Sequence, residues 1–289
     1  MPKILILGVS GMLGNATYRL FAGSEGWTVA GRARSLDGLD ALPRTATASI
    51  AGGLDISDGG RLNKEIATEK PDLVLNCIGV IKQLSEAKDP IVSIEINALF
   101  PHRLAKICGE AGARLVHVST DCVFNGKGSM YRETDPSDAE DMYGKSKYLG
   151  EVDYDHAITL RTSIIGHEIR SSVSLLDWFL SQRGPSVKGY TQAIFSGLTT
   201  LELSRVIRDV VAPRPELRGL WHVASESIDK FSLLRLIAEA YGKTIEIIPD
   251  AAVKIDRSLN AERFREATGY APPAWPELIR QMRAFGRSG

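Results

Sequence analysis

The chain has 289 residues, which at roughly 150 per domain means one large or two ordinary domains. Lys plus Arg and Asp plus Glu each number 35, and 44% of residues are hydrophobic. That is the composition of a globular protein with a sizeable core, without the basic excess that a nucleic-acid partner needs. No stretch approaches the ~18 consecutive apolar residues of a membrane span, and Met1-Pro2-Lys3 lacks the apolar core of a secretory signal. Cys77, Cys108 and Cys122 have neither disulfide nor metal-ligand spacing, so a reduced, cytoplasmic protein without a structural metal is expected.

In chain order, Lys3–Leu7 (KILIL) is a short apolar run suited to a strand buried on both faces. Helical spacing follows over Met12–Ala22, then strands over 27–30 and, more weakly, 45–50. Residues 58–69 read as helical, and Pro71 stops them before a strand over 72–77. A long helix over 91–111 contains Pro101, which predicts a kink or break there. A strand over 114–118, a helix over 141–154 and a strand over 157–160 complete the alternation. It implies right-handed βαβ crossovers and a doubly wound parallel sheet of the Rossmann α/β class.

Beyond about residue 165 the pattern loosens. Helices over 174–183 and 201–211 flank an irregular, Gly-rich stretch. A strand over 219–223, the helix Lys230–Tyr241, a strand over 244–248 and helices over 260–268 and 277–284 follow. The expected division is a first domain over 1–165 and a smaller C-terminal α/β substrate domain over 166–289, with 197–224 able to return to the first.

The first chemical signal is Gly8-Val9-Ser10-Gly11-Met12-Leu13-Gly14, between a predicted buried strand and a predicted helix. In that setting glycines permit a sharp turn and bring a pyrophosphate to the N-terminus of a helix, whose open N–H groups favour anions. The residue after the second strand reads the adenosine ribose, and Ala30-Gly31-Arg32-Ala33-Arg34 offers arginines and no acid before Asp37. Arg32 and Arg34 therefore favour NADP(H), with NADH chemistry also open. Asp55 and Ile56 after the third strand, and Asn76-Cys77-Ile78-Gly79 at the end of the fourth, fall where a cofactor meets strand carboxyl ends.

The second signal is the YxxxK of Tyr143-Gly144-Lys145-Ser146-Lys147, which means little alone but here opens the helix after the fifth strand. An i, i+4 pair shares a helical face, and a nearby ammonium lowers a phenol's pKa toward the range useful for proton transfer. Ser119-Thr120-Asp121 closes the fifth strand and supplies a hydroxyl for a substrate carbonyl. A hydroxyl, a tyrosine and a lysine beside a nicotinamide suffice for carbonyl reduction.

Together these features resemble the extended short-chain dehydrogenase/reductases. The stretches 119–126, 143–147 and Leu160-Arg161-Thr162-Ser163, with 219–224 and 257–264, resemble the dTDP-4-dehydrorhamnose reductase family. The resemblance implies an N-terminal NADP-binding Rossmann domain, a C-terminal nucleotide-sugar domain, and reduction of the 4-keto group of a dTDP- or UDP-linked 6-deoxy sugar for cell-surface polysaccharide precursors. It makes Thr120, Tyr143 and Lys147 the catalytic triad and Arg257 a diphosphate-facing residue. Lys82, Gln83, Thr120, Asp121 and Cys122 would border the sugar, and Asn97 matches a supporting asparagine. A homodimer is compatible with the superfamily.

Departures from the family pattern at Cys122, Ile164 and the loop 80–90 fall on the expected sugar site. Thr120-Asp121-Cys122 also lacks the Thr-Asp-Glu of related dehydratases, which disfavours water elimination. An epimerase that recycles its cofactor, and a non-catalytic NADP-binding regulatory subunit, remain the alternatives.

Overall fold

The computed structural model describes residues 1–81, 88–169 and 172–286. The first half alternates as expected: β1 (Lys3–Leu7), α1 (Met12–Ala22), β2 (Thr28–Arg32), β3 (Ala48–Ala51), α2 (Gly59–Glu69) and β4 (Leu73–Asn76). Asp58 caps α2 by accepting from the Arg61 amide, 2.9 Å away. The long helical stretch comprises α3 (Pro90–Ser93), a π-helical segment (Ile94–Leu99) and α4 (Phe100–Glu110). The irregularity thus lies in the turn before Pro101 and the chain does not break there. Pro101 has no N–H to offer the Asn97 carbonyl, and the wider turn accommodates it.

Next come β5 (Arg114–Thr120), a 3₁₀ turn (Asp121–Val123) and α5 (Met142–Leu149). Helix α5 stops at Gly150, several residues short of the expected 154. A Cβ at Gly150 would lie 1.9 Å from the Asn97 carbonyl oxygen, so the close approach of these two segments requires glycine.

The remainder is β6 (Ala157–Thr162), β7 (Ile164–Ile165), α6 (Leu175–Ser181), β8 (Ser186–Phe195), β9 (Leu198–Thr199), α7 (Thr200–Arg205) with a π-helical continuation (Val206–Val211), β10 (Gly219–His222), β11 (Ile228–Asp229), α8 (Lys230–Tyr241), β12 (Glu246–Asp256), α9 (Glu262–Thr268) and α10 (Trp275–Phe285). The stretch expected to be irregular between the helices is the ten-residue strand β8, and the strand expected over 244–248 runs on to Asp256.

Seven parallel strands form the main sheet in the order β10-β6-β5-β4-β1-β2-β3. Connections run outward in opposite directions from β1 and β4, which opens a crevice at their carboxyl ends. One face is covered by α1 and the α7 segment, around Tyr18, Phe21, Leu203 and Ile207. The other is covered by α2 and α4, around Leu62, Ile66, Phe100 and Leu104. A three-stranded sheet, β11-β8-β12, packs with α6, α8 and α10 around Phe179, Leu234 and Trp275. Val123, Phe124, Ala224, Leu259 and Ala261 form a small core where the 3₁₀ turn meets the C-terminal segment. Among the described residues no helix is long and apolar enough to cross a membrane.

Candidate active site

The glycine loop leaves β1 at Gly8, whose φ of 89° suits only glycine. Its amide and that of Val9 both donate to the Arg32 carbonyl, which ties the loop to the end of β2. Gly11 precedes α1, and no side chain caps the helix there, so the first-turn N–H groups face the crevice. Gly14 packs on the loop so closely that a Cβ would sit 2.2 Å from the Gly8 oxygen. Ser10 and Met12 are half-buried at the loop, whereas the Leu13 side chain lies in the core and leaves only its backbone to the crevice. This cradle has the shape and polarity of a pyrophosphate site, so a dinucleotide fits it.

Facing the cradle is the end of β4. A Cβ on Gly8 would meet Cys77 backbone and Ile78 at 3.1–3.2 Å, so the two strand ends touch. The Asn76 side chain is spent internally: its oxygen accepts from the Ile78 amide (3.0 Å) and its nitrogen meets His117 Nδ1 (3.1 Å). Any contact here therefore falls to the backbone of Cys77, Ile78 and Gly79. Burial pushes the Cys77 thiol up to about 12, so it stays neutral. Asp55 closes an exposed turn by accepting from the Ser57 amide and hydroxyl, which holds its carboxyl below the usual range. Ile56 packs against the core beneath it.

The expectation for Arg32 is corrected. Its guanidinium is buried against α2, where it pairs with Glu65 at 3.2 Å and with Glu69, and it donates to the Gly31 carbonyl. Glu69 also binds Lys3 at the opposite end of β1, so the arginine runs back along the sheet and away from the strand ends. Arg34 is exposed, with no side-chain hydrogen bond among the described residues. Of the two arginines it is the one whose charge faces solvent. Arg34→Ala is expected to raise the KM for NADPH about tenfold, the worth of one charged hydrogen bond, with NADH kinetics unchanged. Equal effects on the two cofactors would contradict this assignment.

At the end of β5 the Thr120 hydroxyl accepts from the Cys122 amide and donates to Asp121, both at 3.1 Å, and it lies near enough to the Tyr143 phenol to act against the rise in its pKa. Asp141 caps α5 through the Gly144 amide, which sets Tyr143 in the first turn. Lys147, one turn on, is 6% exposed and donates 2.7 Å to the Val118 carbonyl. Burial lowers its pKa to about 8, opposed by Glu151 and Cys77.

The phenol differs from expectation. Burial first, then the neighbouring Cys122, Asp121 and Asp141, push Tyr143 well above its usual value. The ammonium is directed to a backbone carbonyl, so it does not offset that. Tyr143 is accordingly a protonated acid at neutral pH. Asn97 braces the site by accepting from the Val80 amide (2.9 Å) and donating to Ser146 (3.3 Å).

On the far side of the crevice, burial raises the Asp121 carboxyl, partly offset by Arg257 and Lys230. Arg257 donates to the carbonyls of Phe124 (2.6 Å) and Asn125 (3.4 Å) and so anchors the loop after the 3₁₀ turn. Lys230, which opens α8, faces Asp121 and Cys122 and was missed by sequence reasoning. No local pattern marks a lysine brought in by a distant turn. Lys82 and Gln83 lie outside the described residues.

The family described as "RmlD substrate binding domain" matches residues 2–284. The chain belongs to it. A dTDP-4-dehydrorhamnose reductase of Streptomyces griseus is 32% identical over 151 residues, which is 52% of this chain and 44% of that protein. The chain thus aligns to less than half of that relative's length. The spore coat polysaccharide biosynthesis protein SpsK of Bacillus subtilis (strain 168) is 26% identical over 295 residues, covering 97% of this chain and 96% of SpsK. The dTDP-4-dehydrorhamnose reductase of Bacillus anthracis, solved in complex with NADP, superimposes with a TM-score of 0.81 at 19% identity, covering 99% of this chain and 100% of that one. That last likeness is one of fold.

Proposed function

We propose that this RmlD-family chain reduces the 4-keto group of a dTDP- or UDP-linked 6-deoxy sugar with NADPH. The observation that carries the reading is the placement of Thr120, Tyr143 and buried Lys147 together at the end of β5. The dinucleotide, held by the backbone of 8–14 and 77–79 with Arg34 at its ribose, supplies the hydride when bound. Tyr143 gives its proton to the carbonyl oxygen as negative charge develops there. Thr120 orients that oxygen, and Lys147 holds ribose hydroxyls as a cation. Asp121, Cys122, Arg257 and Lys230 line the sugar side. On this reading residues 1–165, completed by 197–224, carry the dinucleotide, and the rest of 166–289 carries the nucleotide sugar. The enzyme works in the cytoplasm, as a homodimer, on precursors of cell-surface polysaccharide.

The test is loss of NADPH absorbance with a panel of 4-keto-6-deoxy sugar nucleotides on dTDP and UDP. Stoichiometric oxidation with one of them is expected. Turnover that needs only trace cofactor would point to epimerisation, and tight NADPH binding with no turnover on any sugar would overturn the reductase.

A further inference from the structure

One buried polar network is not used by the proton transfer. Glu151, just past α5, accepts from Ser119 Oγ (2.7 Å) and pairs with Arg161 through Nε (2.8 Å) and a terminal nitrogen (2.6 Å). The Arg161 side chain is 2% exposed and that of Glu151 9%. The other terminal nitrogen of Arg161 donates to His222 Nε2 (3.0 Å), and His222 Nδ1 donates to the Tyr131 carbonyl (3.0 Å). Burial and the Arg161 charge push His222 down to about 3, which keeps it neutral and able to accept. The His222 amide donates to Glu133, and the guanidinium lies over Phe124, which stacks on Tyr131.

Residues 131–133 precede α5 and Glu151 follows it, so the segment bearing Tyr143 and Lys147 is fastened at both ends to β6 and β10. Ser119 lies between Val118, whose carbonyl takes Lys147, and Thr120. Burying an Arg–Glu pair costs desolvation that an apolar pair would avoid, so stability alone does not account for it.

We propose that Glu151, clamped by Arg161 and through it tied to His222, is the positioning residue that holds the Tyr143–Lys147 segment against the end of β5. This rests on the reductase reading, in which Tyr143 and Lys147 serve the reaction. The groups facing Lys147 are Glu151 from its own segment, Cys77 at the end of β4 and His117 on β5, and burial keeps the last two neutral. Glu95, on the π-helical segment packed against α5, is exposed. Glu151 is therefore also the carboxylate that sustains the Lys147 charge. Lys147 acts as a cation, so activity falls as pH rises through its pKa. Loss of Glu151 lowers that pKa and moves the alkaline limb to lower pH.

The experiment compares wild type, Glu151→Gln, Glu151→Asp and Tyr143→Phe in the full chain. It measures turnover against pH, NADPH binding, and hydrogen exchange over residues 142–150. Glu151→Gln is expected to lower kcat about a hundredfold, as misplacement of reacting groups does, with NADPH affinity retained. Its alkaline limb shifts below the wild-type position and its α5 amides exchange faster. Glu151→Asp, which keeps the charge at shorter reach, lowers kcat but keeps the limb in place; it serves as the test if Glu151→Gln does not fold. Unchanged kcat and exchange in either variant overturn the proposal. Full turnover in Tyr143→Phe would instead overturn the catalytic reading beneath it.

Discussion

Tyr143→Phe is expected to lower turnover by about a thousandfold, the middle of the range for a lost general acid. The phenol carries a transferable proton at a fixed position in the first turn of α5. Asp141 sets its helical turn, beside the Thr120 hydroxyl. Because burial and nearby carboxylates raise its pKa, the proton is in place throughout the neutral range and the acid form needs no tuning for the reductive direction. Phenylalanine preserves the ring, so the fold and the dinucleotide cradle at 8–14 remain. NADPH affinity should change by no more than about threefold, and the loss should appear in kcat and kcat/KM together, as for an interaction made in the transition state. Stopped-flow single turnovers with the preferred sugar nucleotide would check this. A wild-type chemical step in the mutant would remove Tyr143 from the mechanism.

Gly14→Ala should abolish useful dinucleotide binding. The added Cβ would lie 2.2 Å from the Gly8 oxygen, 2.8 Å from its carbonyl carbon and 3.1 Å from the Val9 Cα. All three are backbone atoms of the loop that forms the cradle, so relief requires the loop to move. It cannot move freely, since Gly8 and Val9 are hydrogen-bonded to Arg32 and Gly8 touches Cys77. Overpacking of this kind costs about 1–3 kcal/mol of stability, and the displaced amides no longer converge on a phosphate. Gly59→Ala in the first turn of α2 is the control. Nothing lies within 4 Å of its Cβ, and a small gain of about 0.4–1 kcal/mol is expected. Thermal melts with and without NADPH separate the effects: Gly14→Ala should melt lower and lose the shift that cofactor gives the wild type.

Much of the fold was legible because local pattern and tertiary role coincide. KILIL is buried on every side, and β1 spans the residues expected; so do α1 and α8. Strand β8 was not legible, because its burial does not alternate. It is the middle strand of a small sheet, and Gly189 lies under Phe231 and Ile247, so a residue that reads as loop marks a close contact. The C-terminal end of α5 was misjudged for a similar reason, since Gly150 is required by a helix fifty residues earlier.

The site divides in the same way. Thr120, Tyr143 and Lys147 converge because strand end and helix start are adjacent in the chain. Arg32 sits at the expected place, but its partners Glu65 and Glu69 lie 33 and 37 residues further on, and ion pairing at that distance leaves no local trace. The i, i+4 spacing of Tyr143 and Lys147 likewise says nothing about the Val118 carbonyl that claims the ammonium.

The pairing of β10 with β6 bears on how the protein is made. Strand β10 arrives 57 residues after β6 ends at Thr162, if counted to Gly219, and it supplies the last strand of the main sheet. A nascent chain that has released β1 to β6 from the ribosome therefore displays an unpaired edge along Ala157–Thr162, six residues that are all buried in the finished protein. Such an edge is a template for association with other chains. Until His222 emerges, this is the stretch a chaperone would need to shield, and a chain that terminates before Gly219 would carry the exposed edge permanently.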